Sequence, residues 1–191
     1  MEKKSENRIQ KMVLSAMFLA VGLILPFFIG QIPKIGAMLL PMHIPVFLCG
    51  LICGWQYGLA VGFILPLMRS VLFGMPAMFP NAVAMAFELG TYGLLAGYFY
   101  RSSRWQCVIS LYRSLLIAMI GGRLVWGIVR TLIGIAVGEP FTWQMFMAGA
   151  FLTAGPGIVV QLILIPALMV ALDRTGLVTF RRKKKTADCA E

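Results

Sequence analysis

The sequence is poor in charge, and above all in acidic residues. Only 13% of its 191 residues are charged and only 7 are Asp or Glu, whereas 60% are hydrophobic. Ordinary soluble domains carry roughly 25% charged residues. A soluble fold of this length could not bury so much apolar surface, but a lipid bilayer accepts it. The low charge therefore predicts an integral membrane protein.

Several motifs that are typical of ATP-binding proteins and of enzymes are also missing. There is no GxxxxGK[ST] phosphate loop, so the chain does not power itself with ATP, and there is no GxSxG and no HExxH. The four cysteines include no CxxC pair, and Cys49 and Cys53 lie within an apolar run, which indicates packing residues. We expect no catalytic residues, no metal and no cofactor.

Apolar runs separated by Gly and Pro predict an all-α membrane protein with six transmembrane helices. The second and third runs are short, which leaves open a single bent hairpin that does not cross the membrane fully. The predicted spans are Ile9–Ile29, Met42–Gly54, Gly58–Phe73, Asn81–Tyr100, Leu111–Val137 and Phe146–Leu172.

The basic residues predict the orientation, because cytoplasmic loops are rich in Lys and Arg. With both termini in the cytoplasm, the outer loops hold only Lys34 of the 17 Lys and Arg residues. The net charge of +10 thus reflects topology, and we expect no nucleic-acid partner. The expected organisation is a cytoplasmic N-terminus at 1–8, a substrate-binding transmembrane domain at 9–173 and a basic cytoplasmic tail at 174–191.

Apart from Lys11 and Arg113, which belong to the basic cytoplasmic ends of their spans, four charged side chains fall inside the spans, where charge is costly and by default marks a function. They are Arg69, Glu88, Arg123 and Arg130. One arginine can pair with Glu88, which leaves a positive excess that an anionic ligand would balance. Arginine suits a carboxylate, because its planar fork donates two parallel hydrogen bonds. The alternative is that these arginines snorkel to the membrane surface or cap backbone carbonyls.

Other polar residues lie near the same depth in the outer half of the membrane. His43 begins the second span between two prolines, Asn81 opens the fourth and Gln161 lies in the sixth. His43 can equally be a structural histidine, and Asn81 can simply cap its helix. Together with the arginines they predict a small polar pocket with mainly apolar and aromatic walls.

Small residues recur at four-residue spacing, which lets helices approach closely in lipid. Gly50, Gly54, Gly58 and Gly62 form one such series. Ala16 and Ala20 form another on the first span, which has almost no polar groups to bury. This alanine pair is therefore a candidate contact with another protein.

These features resemble the substrate-binding S component of an energy-coupling-factor (ECF) vitamin transporter. The resemblance rests on six helices in about 190 residues, the AMFLA segment at 16–20 and a proline-glycine loop after the first helix. The segments LPMHIPV at 40–46 and GMPAMFPNAVAMAFE at 74–88 look like the branch of the family associated with pantothenate.

The resemblance implies partners and a mechanism. An S component sits in the bacterial cell membrane beside a transmembrane coupling subunit and two cytoplasmic ATPase subunits. Ala16 and Ala20 would meet the coupling subunit, and the loops at 30–41 and 74–80 would gate the pocket. The whole subunit would topple in the membrane to carry its ligand inward. Pantothenate is a monoanion with hydroxyl and amide groups, so it needs an arginine and partners such as Asn81, His43 or Glu88.

Two other functions stay open from the residues alone. The first is a stand-alone secondary transporter or channel for a small organic anion, although the two halves show no clear repeat. The second is a membrane enzyme that uses Glu88 and His43 as acid and base. No nucleophile or metal set accompanies that pair, and the two residues lie on different spans.

Overall fold

In the described residues of the computed structural model, which are 2–29, 41–103, 108–138, 142–149 and 155–174, all regular structure is helical. This confirms the all-α prediction. The helices are α1 (Glu2–Ile29), α2 (His43–Cys53), α3 (Trp55–Phe73), a π-helical turn (Met78–Ala82) that leads into α4 (Val83–Ser102), α5 (Val108–Val137), α6 (Trp143–Met147) and α7 (Gly155–Arg174).

Five stretches of described residues are long and apolar enough to cross a membrane. They are Arg8–Phe28, Trp55–Phe73, Met78–Ser102, Val108–Val137 and Gly155–Leu172. Each overlaps one of the predicted spans. The predicted sixth span begins at Phe146, which the structure places in α6, and residues 150–154 between α6 and α7 lie outside the described part.

The second and third spans differ from each other in length. The expectation that both are short is wrong for α3, because Trp55, Gln56 and Tyr57 join it and extend it to 19 residues. It holds for α2, whose 11 residues rise only about 16 Å, against roughly 30 Å for the hydrocarbon core. Gly54 alone joins the two helices, with a φ of 110° that favours glycine.

Glycines bring α2, α3 and α4 into close contact. A Cβ on Gly58 would lie 2.6 Å from Gly50 Cα and 2.7 Å from the Gly93 carbonyl oxygen. A Cβ on Gly62 would meet the Leu89 backbone in the same way. Since Gly58 faces Gly93 and Gly62 faces Leu89, α3 runs antiparallel to α4. The predicted close packing of the glycine series is thus observed at Gly50, Gly58 and Gly62.

A substitution of Gly93 by alanine is expected to destabilise this three-helix contact. Its Cβ would strike the Gly58 carbonyl group, a backbone atom that no side-chain rotation can move away. Overpacking costs typically 1–3 kcal/mol and sometimes more, so we expect a loss of about 3 kcal/mol of unfolding free energy. Reversible unfolding of the purified protein in detergent measures it.

The matched control is Gly90→Ala on the same helix. There the nearest atom to the new Cβ is Leu59 Cδ1 at 3.3 Å, the end of a flexible side chain. Alanine also has the higher helix propensity, so this variant should stay within about 1 kcal/mol of wild type. Equal stability of the Gly93→Ala and Gly90→Ala proteins would contradict the packing argument.

The first helix attaches through one face. Ser15 is buried there, and the thiol of Cys49 on α2 lies 3.6 Å from its hydroxyl group. Gly22 is also buried, and a Cβ on it would lie 2.7 Å from Leu65 Cδ2 on α3. Helix α1 therefore packs on α2 and α3, while α7 packs on α2 and α5. The helices that surround the candidate site are thus α2, α4, α5 and α7.

Candidate solute-binding site

A carboxylate is buried in the centre of the helix bundle. Glu88 lies in the second turn of α4 and is 2% exposed. Tyr92 follows it by four residues, hence on the same face of the helix, and is also 2% exposed. A buried charge is expensive unless it is paired and hydrogen-bonded. The surroundings of Glu88 supply both kinds of partner.

Three side chains from three helices converge on one oxygen of this carboxylate. The Tyr92 hydroxyl group donates to Glu88 Oε1 over 2.8 Å. Arg123 Nη1, from the middle of α5, lies 3.0 Å from the same oxygen. His43 Nε2, at the start of α2, lies 3.9 Å from it, which is too long for a hydrogen bond. The prediction that one arginine pairs with Glu88 is confirmed, and that arginine is Arg123.

Aromatic packing fixes the position of Tyr92. Its ring stacks on Phe47 of α2, with centroids 5.1 Å apart and an interplanar angle of 30°, and lies 5.3 Å from the His43 ring. On the α5 side, Gly122 leaves room for it, because a Cβ there would meet the Tyr92 ring. Since His43 and Phe47 face Glu88 and Tyr92 in ascending order, α2 runs parallel to α4. Helices α2, α3 and α4 therefore alternate in direction.

Several polar atoms near this ion pair are buried and have no hydrogen-bond partner among the described residues. They include both ring nitrogens of His43 and Arg123 Nε. His43 is 1% exposed, and the side chain of Arg123 is 14% exposed. Buried polar groups in folded proteins are nearly always hydrogen-bonded, so each exception calls for a partner such as water or a ligand.

Gln161 is a further buried polar residue. It is 2% exposed, and its Nε2 has no hydrogen-bond partner. It shares the buried face of α7 with Gly157 and Ile165, because these residues follow one another at four-residue spacing. That face packs against α2 and α5, the helices that carry His43 and Arg123.

The remaining predicted binding residues lie outside the Glu88 cluster. Asn81 is exposed in the π-helical turn before α4. Arg69 is half-buried near the end of α3, and its Nε has no partner. Arg130 is half-buried two turns beyond Arg123 on the same face of α5 and takes part in an interaction of its own. Of the predicted binding residues, the structure therefore brings His43, Glu88 and Arg123 together in one cluster.

A short aromatic helix covers the same face of α5 beyond Arg123. In α6, Phe146 stacks between Trp143, at 5.3 Å, and Trp126 of α5, at 6.1 Å. Trp126 lies three residues after Arg123, hence on the same face. Of the two predicted gating loops, 74–80 is described and exposes Met75 and Phe79, whereas most of 30–41 lies outside the described residues.

Ala16 and Ala20 lie on the exposed side of α1. The opposite side of this helix carries Ser15 and Gly22, which contact α2 and α3. Large apolar neighbours such as Met17, 59% exposed, surround the alanines. This face therefore meets no described part of the chain.

Sequence reasoning missed two residues of the cluster. Tyr92 and Phe47 carry no charge, so the search for intramembrane ionisable groups passed over them. A usable signal was their spacing, because Tyr92 follows Glu88 and Phe47 follows His43 by four residues. In helices that spacing puts each pair on one face.

Comparison with known proteins supports one family. A family model described as the substrate-specific component of ECF transporters matches residues 10–171. No curated protein and no solved structure shows significant similarity to the chain. The match covers most of the chain, including all the residues of the Glu88 cluster. The chain therefore belongs to the family of substrate-specific components of ECF transporters.

Proposed function

We propose that this chain is the substrate-specific subunit of an ATP-driven importer for a small anionic vitamin, with pantothenate as the favoured substrate. One observation carries the proposal: the paired charges of Glu88 and Arg123 lie among buried polar atoms that have no hydrogen-bond partner in the part of the chain that the structure describes. In a bilayer, such groups are retained when they bind something. A small polar solute would satisfy them.

The balance of charge favours an anion. Glu88 is the sole acidic residue in the predicted spans, and Arg123 already neutralises it. Arg69 adds a further positive charge in the outer half of the same spans, and no ion pair among the described residues neutralises it. An anionic group on the solute would reduce this excess.

Pantothenate fits this chemistry. Its carboxylate would bind an arginine, of which Arg123, Arg69 and Arg130 are the candidates. Its hydroxyl and amide groups would bind polar side chains, for which Asn81, His43 and Gln161 are proposed, while Glu88 would take part in the site through Arg123. The resemblance of 40–46 and 74–88 to the pantothenate branch points to the same compound.

Family membership implies a coupling subunit and ATPase subunits that act with this chain. We propose that the coupling subunit contacts Ala16 and Ala20, and that the chain spans a bacterial cell membrane six times with both termini in the cytoplasm. Residues 9–173 would form the binding domain, between the N-terminus at 1–8 and the basic tail at 174–191. ECF substrate-specific components bind solutes for transport and are not enzymes.

Two measurements test this function. Mass spectrometry of the solute that co-purifies with the chain is expected to identify a carboxylate-bearing vitamin. Proteoliposomes should take up labelled pantothenate only when the coupling and ATPase subunits are present and ATP is supplied inside. Uptake by the chain alone would contradict the proposal and favour a stand-alone carrier for organic anions.

A further inference from the structure

The guanidinium group of Arg123 is only partly used by the protein. Glu88 Oε1 contacts Nη1, whereas Nε is buried and no described residue forms a hydrogen bond with it. A guanidinium group offers its donors in a planar fork that matches the two oxygens of a carboxylate. In Arg123, the edge formed by Nε and Nη2 faces away from the nitrogen that Glu88 occupies.

We propose that the Nε–Nη2 edge of Arg123 binds the carboxylate of the transported solute through two parallel hydrogen bonds, and that Glu88 positions Arg123 without contacting this carboxylate. The proposal rests on the proposed function, since it assigns one subsite of the same binding site. It selects one arginine of the three candidates and gives Glu88 a different role from that of a solute ligand.

The contacts of Glu88 support a positioning role. Arg123 and Tyr92 both engage Oε1, and Tyr92 is itself held between Phe47 and Gly122. An arginine side chain is long and loses rotamer freedom when it is ordered. A buried, hydrogen-bonded carboxylate that binds Nη1 fixes the plane of the guanidinium group before the solute binds. This lowers the entropic cost of solute binding.

Positive charge and hydrogen-bond donors near Glu88 can also stabilise a second carboxylate, that of the solute. Helix α2 begins at His43, and Met42 provides no side-chain cap for its first turn. The N-terminus of a helix carries a partial positive charge, roughly half an elementary charge. Neither buried ring nitrogen of His43 has a hydrogen-bond partner among the described residues, so the ring N–H can donate to a solute oxygen. Arg123 and the start of α2 thus face the bound anion together.

The other two arginines fit the subsite less well. Arg69 lies near the end of α3, and no acidic side chain among the described residues forms an ion pair that would orient it. Arg130 already interacts with another part of the protein. Arg123 combines a fixing ion pair with a buried donor that has no hydrogen-bond partner among the described residues.

The test uses pairs of compounds that differ only in the carboxylate. Calorimetric titration of the purified full-length protein in detergent would compare pantothenate with pantothenol, nicotinate with nicotinamide, biotin with biotin amide and lipoate with lipoamide. Wild type is expected to bind the carboxylate of its preferred pair roughly tenfold to a hundredfold more tightly than the neutral compound, as expected for charge-assisted hydrogen bonds.

Arg123→Lys removes the fork but keeps the positive charge beside Glu88, so the protein should still fold. We expect it to lose most of the carboxylate preference while its affinity for the neutral compound changes less than about twofold. The matched control is Arg113→Lys, because Arg113 is an exposed arginine on the same helix. This control should bind both compounds as wild type does.

Glu88→Gln separates positioning from direct contact. Glutamine keeps an acceptor for Arg123 and Tyr92 but loses the charge that holds the guanidinium group. A positioning role predicts a weaker carboxylate affinity with an unchanged affinity for the neutral compound, and rescue of the preference by Glu88→Asp. A parallel loss for both compounds would mean that Glu88 contacts the solute itself and would overturn its assigned role.

The outcomes distinguish the subsite from the function. Equal wild-type affinity for a carboxylate and its neutral partner overturns the subsite and leaves the importer standing. A full carboxylate preference in the Arg123→Lys protein also overturns it. Failure of every carboxylate to bind overturns both the subsite and the anionic substrate, whereas uptake by the chain alone contradicts the importer without touching the Arg123 contact.

Discussion

Replacing Ala16 and Ala20 together by tryptophan is expected to abolish ATP-driven uptake and to leave solute affinity unchanged. Both alanines are on the exposed side of α1, so the new rings would project away from α2 and α3. In lipid, helices associate through small residues that let their backbones approach closely. Two indole rings at this position would hold the coupling subunit away from α1.

Two readouts on the same preparation test this expectation. Uptake by proteoliposomes that contain the whole transporter should fall to the level that wild type shows when ATP is omitted. The affinity of the isolated chain for its solute should stay within about twofold of wild type, since the candidate site lies among α2, α4, α5 and α7. Pull-down of the coupling subunit should fail in parallel with uptake.

Val21→Trp is the matched control. Val21 is 45% exposed and lies one residue beyond Ala20, hence about 100° around the helix. A tryptophan there enters the lipid without covering the alanine pair, so uptake should persist. Normal uptake by the double variant would exclude this face as the coupling contact. A loss of solute affinity would instead mean that α1 shapes the binding site.

The sequence predicted the helices well because bilayer thickness sets their length and composition. The apolar runs and the Gly and Pro breaks indicated the five stretches of described residues that are long and apolar enough to cross a membrane, and also the shorter α2. The length of α2 was harder to interpret. Residues 41–51 are buried, so α2 can end within the protein, and the rule that a span needs about 20 apolar residues applies to helices that face lipid.

The partners within the site could be predicted only in part. The scarcity of intramembrane acids indicated that Glu88 would pair with an arginine, but sequence spacing could not select Arg123 over Arg69. That choice depends on how α4 and α5 pack, and there Gly122 lets the Tyr92 ring approach α5. The participation of Tyr92 follows from the same packing. Charge composition thus predicts that a site exists. Which residues belong to it depends on helix packing, which the glycines and the aromatic rings determine.

Removal of Glu88 alone is expected to destabilise the protein more than removal of the whole ion pair. In Glu88→Ala, the guanidinium group of Arg123 keeps its charge, 14% exposed, but loses its carboxylate. Breaking a buried ion pair in this way typically costs 3–5 kcal/mol, whereas replacing both members by apolar residues of similar volume is often neutral or stabilising. We therefore expect Glu88→Ala to unfold with about 3–5 kcal/mol less free energy than wild type.

The double variant Glu88→Met, Arg123→Met should recover most of this loss, since neither charge then remains in the bundle. Methionine fills irregular space without a polar atom that needs a partner. Unfolding in detergent of wild type, each single methionine variant and the double variant gives the coupling energy of the pair. Solute binding should be lost in the double variant although the protein is stable, because Arg123 is absent. Strictly additive effects of the two single changes would show that the ion pair contributes nothing to stability.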